Sequence, residues 1–302
     1  MFNSPLNESS NPPLASHPFQ MAVSGDVSSF GLRRQSNGRD SRRHPSLLSR
    51  RPVASCQQSL DKPRKASLLG RDLRKPTLLP IDVAAIECVA PQFKGLNLTT
   101  ITEALTSPEM QSRMIEGLSK SSIALGPNGV SLDLRGASTS VMPPTHLLSL
   151  RSDDGTIASL LPCHALPLLA SCATLPSMAS ESSFPETLPV IDIHLPSPST
   201  FHIIRDYGYT RCRRSLLSVL LPLDPSRPVP PTPQAMAAAY AASLSVSELS
   251  AQVKTVQGVY LNACRVGVVD DEFWKSLQLS WNILLMALRS RNARMPQRPH
   301  VC

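Results

Sequence analysis

Residues 1–78 hold too few large apolar side chains to build a core, so whatever folds must be drawn from residues 79–302. The leader is rich in Ser, Pro, Asn and Arg, and it carries 13 Lys+Arg against 5 Asp+Glu. The rest of the chain balances at 17 against 17, which leaves the entire net charge of +8 in the first quarter. A segment of that composition does not recover its ordering entropy by burial, which predicts disorder over 1–78. The neutral remainder is long enough to enclose a core. Pro is abundant at 29 and Gly scarce at 13. That balance predicts short elements with many stops and leaves little material for phosphate-cradling loops.

The longest apolar runs, Leu216–Leu221 and Ile283–Leu288, fall well short of the ~20 residues a membrane span requires, so no membrane contact is expected. Met1–Gly25 is polar and broken by Pro12, Pro13 and Pro18, unlike a signal peptide. The seven cysteines are odd in number and scattered. Reduced thiols in the nucleus, the cytoplasm or both are the simple expectation.

Apolar periodicity outlines the elements. Ser107-Pro108-Glu109 starts a helix with Met110, Met114 and Leu118 on one face, and Thr99-Thr100 caps a shorter helix before it. Gly126–Gly129 is a turn leading into a strand at Val130–Leu134. His146–Leu150 and Thr156–Leu160 flank an Asp153-Asp154-Gly155 turn. A short helix over His164–Cys172, a strand over Val190–Leu195, and helices carrying Phe201, Ile204, Tyr207 and then Leu216, Leu217 and Leu220 follow. Residues 223–234 read as a stiff Pro-rich linker. Residues 235–292 read as a helical hairpin broken at Gly267, with Asp270 and Asp271 opening its last helix. Residues 293–302 are expected to form a disordered tail.

Function-bearing patterns are few. Arg33-Arg34-Gln35-Ser36 and Arg64-Lys65-Ala66-Ser67 fit basic-directed phosphorylation at Ser36 and Ser67. The paired basic residues of the leader fit nuclear import, weak phosphate-backbone contact or a merely solubilising tail. Arg227, Pro230 and Pro233 fit a polyproline ligand, or a rigid spacer. Cys163, His164, Cys172 and His194 match no common zinc spacing and read as buried thiols and ordinary histidines. Asp270-Asp271-Glu272 reads as a helix start rather than a cation site. Trp274 and Trp281, seven apart, share one helix face and are either core or anchors of a partner groove. The edge near Ile191 and Ile193 is a second candidate contact surface. No catalytic, cofactor-binding or metal-binding residue emerges, and the chain is expected not to be an enzyme.

Two resemblances add to this. Residues 141–222, and Leu147–Leu221 in particular, resemble a BTB/POZ-type domain. The likeness rests on strand, Asp154-Gly155 turn, strand, then the His-led helix start His164-Ala165-Leu166-Pro167-Leu168-Leu169-Ala170-Ser171, and on Phe201-His202-Ile203-Ile204 leading into Tyr207-Gly208-Tyr209-Thr210. Pro167, the Ala173–Pro189 loop, Asp206 and Gly208 depart from that pattern. The stretches Val190–Pro222, Val256–Trp274 and Trp281–Leu288 resemble the clampless-type proteins of basidiomycete fungi. Asn262, Gly267, Asp270, Asp271, Trp274 and Trp281 carry most of that likeness, and Cys264-Arg265 departs from it.

The resemblance implies a non-enzymatic regulator of fungal sexual development, acting in clamp-cell formation and dikaryon growth downstream of homeodomain mating-type genes. Its partners would be regulatory proteins, transcription factors among them, or a second copy of the chain. The alternative is a nucleic-acid-associated factor that uses its basic leader. The fold expected is α+β: a disordered tail (1–78), a mixed body (79–222) with its BTB-like part, and the C-terminal hairpin.

Overall fold

The computed structural model describes residues 72–126, 129–134, 141–178, 188–221 and 230–294. Of the segments expected to be disordered, 1–78 and 293–302, residues 1–71 and 295–302 lie outside them, while residues 293–294 complete the last helix instead of opening a tail. The described chain mixes helix and sheet, as an α+β reading requires.

Three short helices lead in. Helix α1 (Val83–Val89) is capped by Asp82, whose Oδ1 accepts the amides of Ala84 and Ala85 at 3.0 and 3.3 Å. Helix α2 (Leu98–Leu105) is capped by Asn97, which accepts the Thr100 amide at 2.9 Å, rather than by Thr99 or Thr100 themselves. Helix α3 (Pro108–Lys120) starts where Ser107-Pro108 predicts, with Met114 and Leu118 packed on Tyr209. A hairpin of β1 (Ser121–Gly126) and β2 (Gly129–Leu134) follows, so the strand expected at Val130–Leu134 has an antiparallel partner before the turn.

The central sheet has three strands. β3 (His146–Arg151) pairs antiparallel with β4 (Ile157–Cys163). After helix α4 (Ala165–Leu169), β5 (Val190–His194) returns parallel on the other side of β3, giving the order β4-β3-β5. Leu147 to Leu150 are all buried, so β3 is covered on both faces, as a central strand should be.

Helices α5 (Phe201–Thr210) and α6 (Arg213–Leu220) are separated at Arg211, a non-glycine in the left-handed region (φ 44°) whose amide closes α5 on Tyr207 O at 2.7 Å.

The C-terminal part holds three helices, where the sequence reading had two: α7 (Pro233–Ser243), α8 (Val246–Val266) and α9 (Asp271–Arg294). The break between α7 and α8 comes from Ser245, which accepts the Glu248 amide at 3.2 Å while Glu248 accepts the Ser245 amide at 2.7 Å. That reciprocal cap starts a new helix inside an otherwise helical pattern. Pro233, assigned to the linker, is the first residue of α7, where its missing amide costs nothing. Helix α9 packs on both α7 and α8.

One hydrophobic core runs through the sheet, α4 to α6 and all three C-terminal helices, from Leu148 and Phe201 to Trp281 and Leu288. It also includes Leu73, buried among these side chains. Folded structure therefore reaches back past the boundary expected at residue 78.

Candidate functional site

The predicted contact residues fall into three groups. Ser36, Ser67 and Arg227 lie outside the described residues; Pro230 is half-buried and Pro233 is helical. Trp274 and Trp281 are 5% and 1% exposed, so the face they define is filled by the protein's own core and offers no anchor to a partner. The Trp274 indole is fixed by donating Nε1–H to Val268 O at 2.7 Å. Ile193 is 5% exposed and Ile191 half-buried against the core, so these side chains point inward too.

What β5 does present is backbone. Leu147 donates its amide to Pro189 O (3.0 Å), and Leu195 donates to Arg151 O (2.8 Å). In a parallel ladder that phase gives residues 191 and 193 to β3 and turns the amides and carbonyls of Val190, Asp192 and His194 outward. Among the described strands β5 is an edge. Val190 (47% exposed), Asp192 and His194 lie on its solvent side. Asp192 accepts from Arg151 Nε at 2.9 Å, and this bond holds its carboxyl below the usual range.

The residues behind the clampless likeness converge elsewhere, where the segment after α4 and the one before α5 meet the α8–α9 turn. Asn262 is fully buried. Its Oδ1 accepts the Ser197 amide at 3.0 Å, and its Nδ2 donates to Ser197 O at 2.6 Å and to Thr200 Oγ1 at 3.0 Å. Gly267 ends α8 with φ +68°, and a Cβ there would sit 3.1 Å from Thr174 Oγ1. Around it the chain pairs with residues 171–174: Ala173 donates to Gly267 O, Thr174 to Val266 O, and Val269 to Ser171 O, at 2.9–3.1 Å. Asp270 caps α9 by accepting the Glu272 and Phe273 amides at 2.8 and 3.2 Å, and its other oxygen faces Arg211 at 3.5 Å. Asp271 pairs with Lys75, and Glu272 with Lys275 and Arg213. The Lys75 and Lys275 partners hold these two carboxyls low. All three acidic side chains are thus engaged as a helix start and its ion pairs, as the sequence reading had it.

A second polar node was not legible in the sequence. The Tyr209 hydroxyl accepts the His164 amide at 2.7 Å and sits 3.0 Å from His164 Nδ1, while Nε2 donates to Met142 O at 3.1 Å. Burial pushes the His164 pKa down to about 4, so the ring is neutral at pH 7. Burial likewise pushes the Cys163 and Cys172 thiols up to about 12, which leaves them as small core residues rather than nucleophiles. His194 lies apart, exposed on β5. Among the described residues no three His, Cys, Asp or Glu side chains are grouped to hold a metal ion. No described helix is long and apolar enough to cross a membrane.

Residues 76–196 match the family model described as the Clampless protein 1 N-terminal domain, and residues 214–301 that of the Clampless protein 1 C-terminal domain. Over 94 residues, 31% of this chain, it is 34% identical to Clampless protein 1 from two strains of Cryptococcus neoformans var. neoformans serotype D. The aligned stretch spans about a fifth (19%) of the length of those relatives. No solved structure matches.

Proposed function

Because the chain belongs to the clampless protein family, we propose that it acts in clamp-cell development, and does so by protein contact rather than by catalysis. The observation that carries this reading is the presence of both family domains, in order, around one continuous core. Its most chemically suggestive groups are used for packing: His164 and Tyr209 bond each other, and Asp270 caps a helix.

We propose that residues 141–222 are BTB-like on the strength of the order of their elements. The antiparallel pair about the Asp154-Gly155 turn, then α4 after His164 and α5 from Phe201, come in the order on which the resemblance rests. The outward backbone of Val190, Asp192 and His194 is then the surface on which an extended partner segment adds as a fourth strand. Deleting the chain in the fungus that carries it, and counting clamp cells on the dikaryotic hyphae, tests the assignment. Normal clamp cells in the deletion strain would refute it.

The second reading, nucleic-acid association, is favoured by the concentration of all net charge in residues 1–78. A salt titration separates the two. Phosphate contacts lose affinity steeply as salt rises, whereas strand addition and apolar docking change little.

A further inference from the structure

We propose that β5 pairs antiparallel with β5 of a second copy of this chain, across a twofold axis at Ile193 that sets Asp192 of each copy against His194 of the other. The proposal rests on the reading of β5 as the contact edge and names its occupant.

The two edges of the central sheet are built differently. Among the described strands, β4 and β5 flank β3. The β4 edge is blunted. Pro162 has no amide to donate, its carbonyl already accepts Arg205 Nη1 at 3.4 Å, and the β3–β4 register slips between Leu150 and Arg151. A proline, an occupied carbonyl and a bulge all discourage the recruitment of another strand. β5 carries none of these within its five residues. The amides and carbonyls of Val190, Asp192 and His194 point outward, and all three residues are exposed. Pro189 and Pro196 bracket the strip, so the ladder it offers is no longer than β5 itself.

Charge selects the register. Full overlap of two antiparallel copies would set Asp192 against Asp192, and like charges directly opposite are destabilising. Arg151 Nε, bonded to Asp192 Oδ1 at 2.9 Å, keeps that carboxyl ionised. A shift by one outward residue in one direction sets the carboxylate against the apolar side chain of Val190. The same shift in the other direction sets it against His194, whose ring can donate an N–H to it. Each Asp192–His194 pair then exchanges both of its backbone hydrogen bonds, and the axis repeats the pair. This register also brings Val190, a large apolar side chain left 47% exposed, toward the exposed Pro196 of the other copy.

Such pairing is isologous and stops at two copies, because the outermost strands of the joined sheet are the blunted β4 edges. Five residues a side bury less than the ~1,200 Å² of a stable interface, so the dimer is weak, with a dissociation constant on the order of tens of micromolar.

Sedimentation equilibrium of the full chain, from low micromolar to several hundred micromolar, tests this together with hydrogen exchange. The chain should pass from monomer to dimer, and the amides of Asp192 and His194 should exchange about tenfold more slowly at the high end. His194→Pro should abolish the dimer. Asp192→Lys and His194→Glu should each weaken it about tenfold, the first by removing the carboxylate that faces His194, the second by setting another carboxylate against Asp192. His194→Glu leaves the Arg151–Asp192 bond in place, so its effect is not a loss of β5. An equimolar mixture of these two variants should restore a heterodimer, because the introduced lysine then faces the introduced glutamate while the native His194 faces the native Asp192. A dimer indifferent to His194→Pro, or no gain on mixing, would overturn the proposal. Undiminished dimerisation of His194→Glu would overturn the Asp192–His194 register. A monomer at every concentration with fast Asp192 and His194 amides would overturn self-pairing while leaving the edge open to a different strand. Amides that stay slow on dilution would overturn the open edge itself.

Discussion

Asn262→Ala should destabilise the whole folded unit by about 3 kcal/mol. The side chain is fully buried and makes three hydrogen bonds to the segment entering α5. Each such bond contributes about 0.5–1.5 kcal/mol net, and a buried group left without a partner costs about 1–3 kcal/mol. Ser197 is half-buried, so water satisfies part of what it loses, which keeps the total near the middle of those ranges. Urea unfolding followed by tryptophan fluorescence is the assay, because Trp274 and Trp281 both sit in the core to which α8 belongs. The midpoint should fall without a change in slope, and a single transition should persist, since one core spans both family domains. A loss below about 1 kcal/mol would show that the junction is not held by Asn262. Two separate transitions would show that the two family domains are energetically independent, which the shared core denies.

Gly117→Ala should be more damaging than a surface glycine substitution, because a Cβ there would lie 1.8 Å from the Met142 carbonyl oxygen. Helix propensity returns only about 1 kcal/mol, so a net loss of at least ~2 kcal/mol is expected by thermal or urea denaturation. Stability should fall as pH drops from about 6.5 toward 4: His164 titrates near 4 when folded and near 6.5 when unfolded, so the unfolded chain binds more protons in that window. The loss attributable to this ring approaches about 3 kcal/mol at the acid end, and His164→Gln should flatten that part of a pH-dependent unfolding series. His194→Pro deletes an outward amide of β5 while sparing its ladder to β3. It should change stability by less than about 1 kcal/mol yet abolish binding of a partner that adds as a strand; retained binding of such a partner in this variant would eliminate the edge as its site.

Local signals placed most of the elements. Ser107-Pro108, the Asp154-Gly155 turn, Gly267 and Asp270 mark where backbone needs a cap or a left-handed residue, and such needs are met by neighbours in sequence. The α7–α8 break is local as well: Ser245 and Glu248 form a capping box three residues apart, but the apolar periodicity running through it masks the signal. The His164–Tyr209 pair and the Asn262 clamp could not be read this way, because their partners lie 45 and 65 residues apart.

Sequence alone settled where charge and apolar surface lie along the chain, and therefore that a neutral body folds behind a cationic leader. It also placed helix starts and stops, since these depend on a few adjacent residues. Tertiary structure decided which apolar stripes face inward. The face of Trp274 and Trp281 is identical in sequence terms whether it meets a partner or the protein's own α8. The packing of α9 into the shared core, with Trp274 edge-on to Tyr260 of α8 at 5.9 Å, closes it. Likewise β5 is an edge among the described strands through its parallel pairing with β3, a choice made by the crossover rather than by the five residues of the strand.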